Sequence, residues 1–373
     1  MSNSTRIWSL RSAELGILLL MLSVQVPALS SEPITGVRFG PMSAIKGTVG
    51  DIWTPTWAAD GAIYAVQDDS TFPDGSTANL AVSRLDGDDP RKLSYTPVNK
   101  MSEYGEGGQS FGIEGGTWKA AGIISIDNTL YLSLNRVLFS SMDKTAARIE
   151  TIDASIIKSM DGGKTWTRTA EENLKRAMFP GSRFSNPVFI QYGKNVSAKA
   201  HGSDRYIYAV SSNGPWSHAD YLILGRVLRS KMGDLNGSDW EFYQGGGRDG
   251  MHDSEWVHDA KRATPILRDP ENLGWTNVTY IPEAKRYLMA QWHWEKGKWH
   301  NGDCTWVLRE APAPWGPWTT VATKVWAKDH DYYFPVFVPK FISKEGHRLY
   351  IFTAGGGAAN YGLKVIPIDL LTR

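Results

Sequence analysis

Five times along the chain an apolar segment passes through a short turn into a second apolar segment centred on a tyrosine. The anchors are Tyr64, Tyr131, Tyr208, Tyr287 and Tyr350, spaced 67, 77, 79 and 63 residues apart. Each follows a matching entry segment: WTPTWAA, TWKAAGI, SNPVFIQ, WTNVTYI and YFPVFVP. Short β-branched and aromatic runs separated by Gly, Asp and Asn turns, repeating at this period, are what a four-stranded propeller blade requires. The pattern predicts an all-β fold, a five-bladed β-propeller with four-stranded blades. An open β-sandwich with five similar hairpins is the alternative that the same pattern admits. The one stretch of helix-forming composition in the body, Ala170 to Met178 (AEENLKRAM), reads as a short insertion before the third blade.

In each unit the anchored hairpin supplies the two inner strands and the following segments the two outer ones. These are NLAVSRL and RKLSYTP in the first unit, and SIIKSMD and KTWTRTA in the second. The third has LILGRVLRS and DWEFYQG, and the fourth CTWVLRE and WTTVATK. The fifth unit retains only LKVIPIDL, so its missing strand is expected from ITGVRFG near the N-terminus, which closes the ring and removes a free sheet edge.

No linker composition divides the chain, and residues 31–373 read as one propeller domain. Residues 1–30 carry Arg6 and Arg11, an apolar run from Leu15 to Leu22, and then Pro27-Ala28-Leu29-Ser30, the outline of a signal peptide. A membrane anchor is the competing reading, but the run is shorter than the roughly 20 residues of a spanning helix. The expectation is a secreted or periplasmic protein with no membrane association after cleavage. The single Cys304 excludes an intramolecular disulfide, so the core alone must hold the fold. With 40 basic and 39 acidic residues mixed along the chain and no basic tract, a nucleic-acid partner has no support.

Ser159 to Trp166 (SMDGGKTW) fits the Asp-box pattern S-x-D-x-G-x-T-W, in which the Asp bonds turn amides and the Trp packs between strands. Such boxes sit on turns between outer strands, away from the active face, so Asp161 reads as a fold marker. The loops entering the first strand and leaving the second strand of each blade open on the same side, around the axis. They bring together Asp51, Asp68, Asp69, Glu114, Asn135, Arg136, Arg183, Asn186, Trp216, His218, Trp275, Asn277, the stretch His293 to His300, and Tyr333. Aromatic faces beside hydrogen-bonding groups suit a sugar ring.

The stretch Asp51-Ile52-Trp53-Thr54-Pro55-Thr56-Trp57 through Tyr64 to Asp68-Asp69, with EAPAPWGPWTTV (Glu310 to Val321) and YFPVFVPKFIS (Tyr333 to Ser343), resembles a family of secreted bacterial five-bladed propellers. They were long known only as a domain of unknown function, and some members are endo-D-arabinanases. The resemblance covers most of the chain after residue 30. It implies glycosidase chemistry with acidic residues from the first blade, Asp51 and Asp69 falling where that group places its paired carboxylates; a furanoside such as arabinan is one substrate it admits, without carrying over arabinan specificity. The Asp68-Asp69 doublet and the segments His201 to Asp204 and Gly245 to His258 depart from the family pattern and leave the sugar open.

Hydrolysis of a glycosidic bond needs one carboxylic acid to protonate the leaving oxygen and one carboxylate as base or nucleophile. Asp51 and Asp69, at the two ends of one hairpin, are the candidates, with Glu114 assisting. Asp68, Arg136, Arg183, Asn186, Trp275, Asn277, His293 and Tyr333 are the candidate carbohydrate-binding residues. Two other classes stay open. A polysaccharide lyase would use a His or Tyr base with an Arg against a uronate, drawing on His218, His293, Tyr333, Arg136 and Arg183. A non-catalytic sugar-binding propeller needs neither set. Acidic groups on the axis favour hydrolysis, and Arg with His or Tyr favours elimination. No cofactor is expected. Met251 to His258 (MHDSEWVH) matches no standard zinc spacing, and a structural calcium on the axis is left open.

Overall fold

The computed structural model describes residues 33–105, 116–139, 149–245, 255–295, 302–330, 332–355 and 361–372, with Met1, His252 and Lys298. The signal-peptide-like segment lies outside the described residues. The strands form five antiparallel sheets, the blades of a five-bladed β-propeller.

Two N-terminal strands, β1 (Ile34–Phe39) and β2 (Ser43–Ala44), belong to the last blade. The first blade is β3 (Asp51–Trp57), β4 (Ile63–Thr71), β5 (Thr77–Asp86) and β6 (Ser94–Asn99). The second is β7 (Gly116–Ile126), β8 (Thr129–Phe139), β9 (Ile149–Ser159) and β10 (Phe179–Pro180), with helix α1 (Ala170–Lys175) before its last strand. The third holds β11 (Val188–Phe189), β12 (Tyr206–Ser212), β13 (Ala219–Leu228), β14 (Trp240–Tyr243), β15 (Trp256–Val257) and β16 (Leu267–Leu273). The fourth is β17 (Asn277–Ile281), β18 (Arg286–Trp294), β19 (Cys304–Ala311) and β20 (Thr319–Trp326). The fifth is β21 (Tyr332–Phe337), β22 (Arg348–Gly355) and β23 (Lys364–Thr372), completed by β1 on the far side of β23.

The ring closure is the expected one. ITGVRFG supplies β1, whose Val37, Arg38 and Phe39 stand opposite Leu370, Asp369 and Ile368. The edge of the last sheet is thereby paired, and the two ends of the described chain are tied into one blade.

Burial along the strands follows from stacking sheet on sheet. Every residue of β7 is buried, and β4 is buried from Ile63 through Asp68, because inner strands have a neighbouring blade on both faces. Outer strands such as β6 and β20 are mostly half-buried or exposed. One apolar cluster joins the fourth, fifth and first blades through Trp53, Leu288, Phe337 and Ile351. A second joins the second, third and fourth through Ile156, Phe189, Leu224 and Tyr287. Val66, Leu80, Leu132 and Ile157 fill the interface of the first and second.

At the axis, polar side chains bridge innermost strands. Gln191 accepts from Thr56 Oγ1 at 3.1 Å and donates to Ile123 O at 2.9 Å, while its own N–H donates to Val278 O at 3.0 Å. One glutamine thus ties its blade to three others.

Two blades depart from the expected layout. KTWTRTA does not form the outer strand of the second blade. Asp161 accepts from the Thr165 N–H at 3.0 Å and from Thr165 Oγ1 at 2.7 Å, which closes a tight turn after β9. The chain makes only an isolated bridge, Lys158 to Thr167, before Arg168 (φ 69°) turns it away. Helix α1 follows, started by a capping box in which Thr169 accepts from Glu172 N and Glu172 accepts from Thr169 N. The outer strand is instead the two-residue β10. In the third blade, β13 pairs with β14 along one part of its length and with β16 along another, and β15 adds a further strand.

Candidate active site

Asp51 opens β3 and Asp68 lies near the end of β4, and the two stand directly opposite in the antiparallel register. Directly opposed residues lie only about 4.5–5.5 Å apart at Cα. The hairpin is irregular here, since the register shifts between Asp51 and Thr54. Ile52 (φ 52°) and Asp69 (φ 45°) both adopt left-handed backbone. A β-branched residue at positive φ is a genuine outlier, and such strain gathers at sites that the surrounding fold over-determines. Gly50 (φ 83°) must be glycine, because a Cβ there would lie 2.3 Å from both Asp68 O and Ser70 Oγ.

Two other blades complete the cluster. From the fifth, Tyr333 Oη donates to Asp51 Oδ2, and the next residue, Phe334, is again left-handed (φ 49°). From the second, Lys119 Nζ donates to Asp69 Oδ1 and approaches Asn79 O at 3.4 Å, while the Ala120 N–H donates to Asp68 Oδ1 at 3.3 Å. Asp51 and Asp68 are 3% and 2% exposed, whereas the side chain of Asp69 is 23% exposed. Asp69 is the carboxylate that faces outward.

Burial holds the Asp68 carboxyl well above the usual carboxylate range, and the charges of Asp51 and Asp69 push the same way. Lys119 and the Ala120 N–H oppose the shift without cancelling it. Burial pulls the Lys119 amine down, but Asp69, Asp68 and Asp51 outweigh it and leave the ammonium favoured. The Tyr333 phenol is driven far up by burial and then by Asp51, so it is a donor here and not a phenolate.

Tyr333 also belongs to an aromatic cluster beside the carboxylates. The half-buried Trp216 meets Trp275, Trp292, Trp294 and Tyr333 edge-on, with ring centroids 6.0, 5.2, 5.2 and 5.8 Å away. Trp292 and Trp294 are fully buried behind it and touch Tyr333. His218 bridges Ser217 Oγ at 2.8 Å and Trp294 O at 3.2 Å; since a carbonyl only accepts, its Nε2 donates.

The structure thus brings Asp51, Asp68, Asp69, Tyr333 and Trp275 into one region. Other candidate residues have structural partners. Arg136 forms a two-pronged pair with Asp153 on β9, with Nε at 3.0 and 2.9 Å from its oxygens. Arg183 donates to Ala260 O at 3.2 Å, to Ala263 O at 2.8 Å and to Tyr221 Oη within the third blade. Asn186 bonds Ser211 and Ser212, and Asn277 accepts the Phe337 N–H at 3.0 Å, which joins the fourth blade to the fifth. His293 alternates with Trp292 and Trp294 along β18, and its Nδ1 lies 3.1 Å from Trp294 O. Glu114 lies outside the described residues. Among the described residues, no group of three or more His, Cys, Asp or Glu is placed to hold a metal ion. No helix among them is long and apolar enough to cross a membrane.

Lys119 and Trp292 were not among the candidates from sequence. The available signal for Lys119 was a lone charge in the otherwise uncharged strand GTWKAAGIISI, which is buried throughout. For Trp292 it was the alternation in QWHW, which puts two tryptophans on one face.

These features define a class: a five-bladed β-propeller with carboxylates and tryptophans meeting at one end of the innermost strands. The chain belongs to the family described as Domain of unknown function (DUF4185), whose model matches residues 109–355. No curated protein sequence matches it. Among solved structures, a protein from Bacteroides ovatus ATCC 8483, provisionally described as a hydrolase, superimposes with TM-score 0.53 at 12% identity, over 93% of this chain and 97% of that one. That likeness shows the fold. Glycoside hydrolases superimpose more loosely. The α-L-arabinanase of Penicillium chrysogenum, solved with arabinobiose, gives 0.45 at 10% identity over 89% and 98% of the two chains. The xylan β-1,4-xylosidase of Bacillus halodurans C-125 gives 0.47 at 10% over 89% and 54%. Neither carries weight on function at these values.

Proposed function

We propose that this protein is a glycoside hydrolase acting on a poly- or oligosaccharide outside the cytoplasm, with Asp51, Asp68 and Asp69 as its acid and base groups. The observation that carries the reading is the contrast within one hairpin end. Asp68 faces Asp51, and burial favours a proton on Asp68, while Asp69 is ion-paired to Lys119 and faces outward. Carboxyls driven apart by their environments are the acid and base assignments that glycoside hydrolysis needs. In this reading the Asp51–Asp68 pair supplies the proton to the leaving oxygen. Asp69 acts as the carboxylate base or nucleophile. Trp216 offers an aromatic face for a sugar ring.

Elimination is less well supported by the same geometry. The arginines that would neutralise a uronate, Arg136 and Arg183, are engaged with Asp153 and with third-blade carbonyls. The Tyr333 hydroxyl is directed at a carboxylate. A neutral furanoside or pyranoside chain therefore fits better than a uronate-rich one.

The test is mass spectrometry of products from arabinans, galactans, pectins and uronate-rich polysaccharides incubated with the protein in oxygen-18 water. Label in new reducing ends, lost in Asp69→Asn with folding retained, is the expected result. Unlabelled products carrying an unsaturated uronate would replace the reading with a lyase, and absence of any cleavage would leave a sugar-binding propeller.

A further inference from the structure

We propose that Lys119 is the positioning residue of this site: it fixes Asp69 as the ionised carboxylate and thereby leaves the proton on the Asp51–Asp68 pair. The kinetic consequence rests on the glycosidase reading, but the charge order itself does not.

The geometry makes the assignment. Two successive residues of β7, Lys119 and Ala120, meet two successive aspartates of β4, one through the ammonium and one through the backbone N–H. The positive φ of Asp69 breaks the ordinary strand alternation, and its carboxylate meets the ammonium of the adjacent blade. Among the described residues, the titratable groups around Lys119 are Asp51 from β3, Asp68 and Asp69 from β4, and, one step further, Tyr333 on Asp51 and Tyr361 beside Tyr333. Of these, Lys119 makes its ion pair with Asp69. Lys119 is only 7% exposed, and an ammonium buried to that degree is unfavourable unless it is paired. A neutral side chain in its place would remove the Lys119 charge from an Asp69 that stands beside two other carboxyls. Like charges that close are relieved by taking up a proton. Asp69 would then lose the ionised state that a base or nucleophile needs.

The experiment uses the full protein labelled with [13C]aspartate. The Cγ resonances are titrated in wild type, Lys119→Met, Lys119→Gln and Lys119→Arg, with Asp68→Asn and Asp69→Asn assigning the signals. The expected result is a wild-type Asp69 ionised at neutral pH, with its midpoint rising by about one pH unit, a tenfold gain in proton affinity, in the Met and Gln variants. Arginine should restore it. On a cleaved glycan, the acid limb of kcat/KM should move with the NMR midpoint, with kcat falling more than KM rises. An Asp69 found protonated at neutral pH in wild type would overturn the proposal even if no variant folded. So would a midpoint unchanged in the folded Met or Gln variant. If the midpoint moves as expected while no glycan is cleaved, the charge order stands and the hydrolase reading falls.

Discussion

Tyr333 and Asp51 lie 282 residues apart, yet the tyrosine hydroxyl donates to the aspartate Oδ2 across the junction of the fifth and first blades. The same phenol ring packs against Trp216, Trp292 and Trp294. Tyr333 is therefore the physical link between the carboxylates and the aromatic surface beside them.

Tyr333→Phe keeps the ring contacts and removes only the donor. It should cost about 1–3 kcal/mol of stability, the range for leaving a buried acceptor short of a partner. If Asp51 acts in the reaction, kcat should fall by at least about tenfold with KM little changed, since the altered group lies on the acid–base pair. Urea denaturation and steady-state kinetics on the first glycan found to be cleaved read the two effects separately.

Trp216→Ala should act in the opposite kinetic parameter. Removing an aromatic platform worth about 1–2 kcal/mol raises KM roughly tenfold and leaves kcat nearly unchanged. Isothermal titration with an oligosaccharide, using an inactive Asp69→Asn background, measures the same loss without turnover.

Asp68 gives the fold a pH dependence whose sign is fixed by its raised folded-state value. The unfolded chain releases this proton near the ordinary value of 3.8, whereas the folded chain retains it to higher pH. The contribution to stability is full below the unfolded value and is lost as pH rises toward the folded one. Asp68→Asn abolishes that titration, so its urea midpoint should decline less than that of wild type between pH 4 and pH 8. Parallel curves for the two proteins would refute the assignment.

Gln191→Leu tests the axis. The change strips Thr56 Oγ1 of its acceptor and Ile123 O of its donor, both buried. A loss of about 2–4 kcal/mol is expected from the two orphaned groups. Calorimetric melting should show it as a lower Tm with the strand signature in circular dichroism retained.

The five Tyr-centred hairpins, the closing strand at Ile34–Phe39 and a short helix from Ala170 were legible in the sequence, although the helix falls inside the second blade, ahead of β10, and not between the second blade and the third. Each is written in signals that act over a few residues: alternating burial, turn-forming Gly and Asp, and a Thr-x-x-Glu capping box. Even there, local reading failed where a neighbour intervened. KTWTRTA has strand-like residues, but Arg168 turns the chain off the sheet and a distant pair, Phe179 and Pro180, takes the edge. The extra strands β15 and β16 of the third blade have no local signature either, since their pairing depends on which edge of β13 and β14 remains open.

The candidate site divides in the same way. The sequence by itself determined that Asp51 and the Asp68-Asp69 doublet end one hairpin, because strand pairing within a hairpin is local. It did not determine that Asp51 would oppose Asp68, that Asp69 would meet Lys119, or that Arg136 would be held by Asp153. Those partners depend on bulges that redirect side chains and, for Lys119 and Tyr333, on contacts between blades. Such contacts exist only after the ring has closed, because it is the stacking of complete sheets around the axis that brings residues remote in sequence within hydrogen-bonding distance.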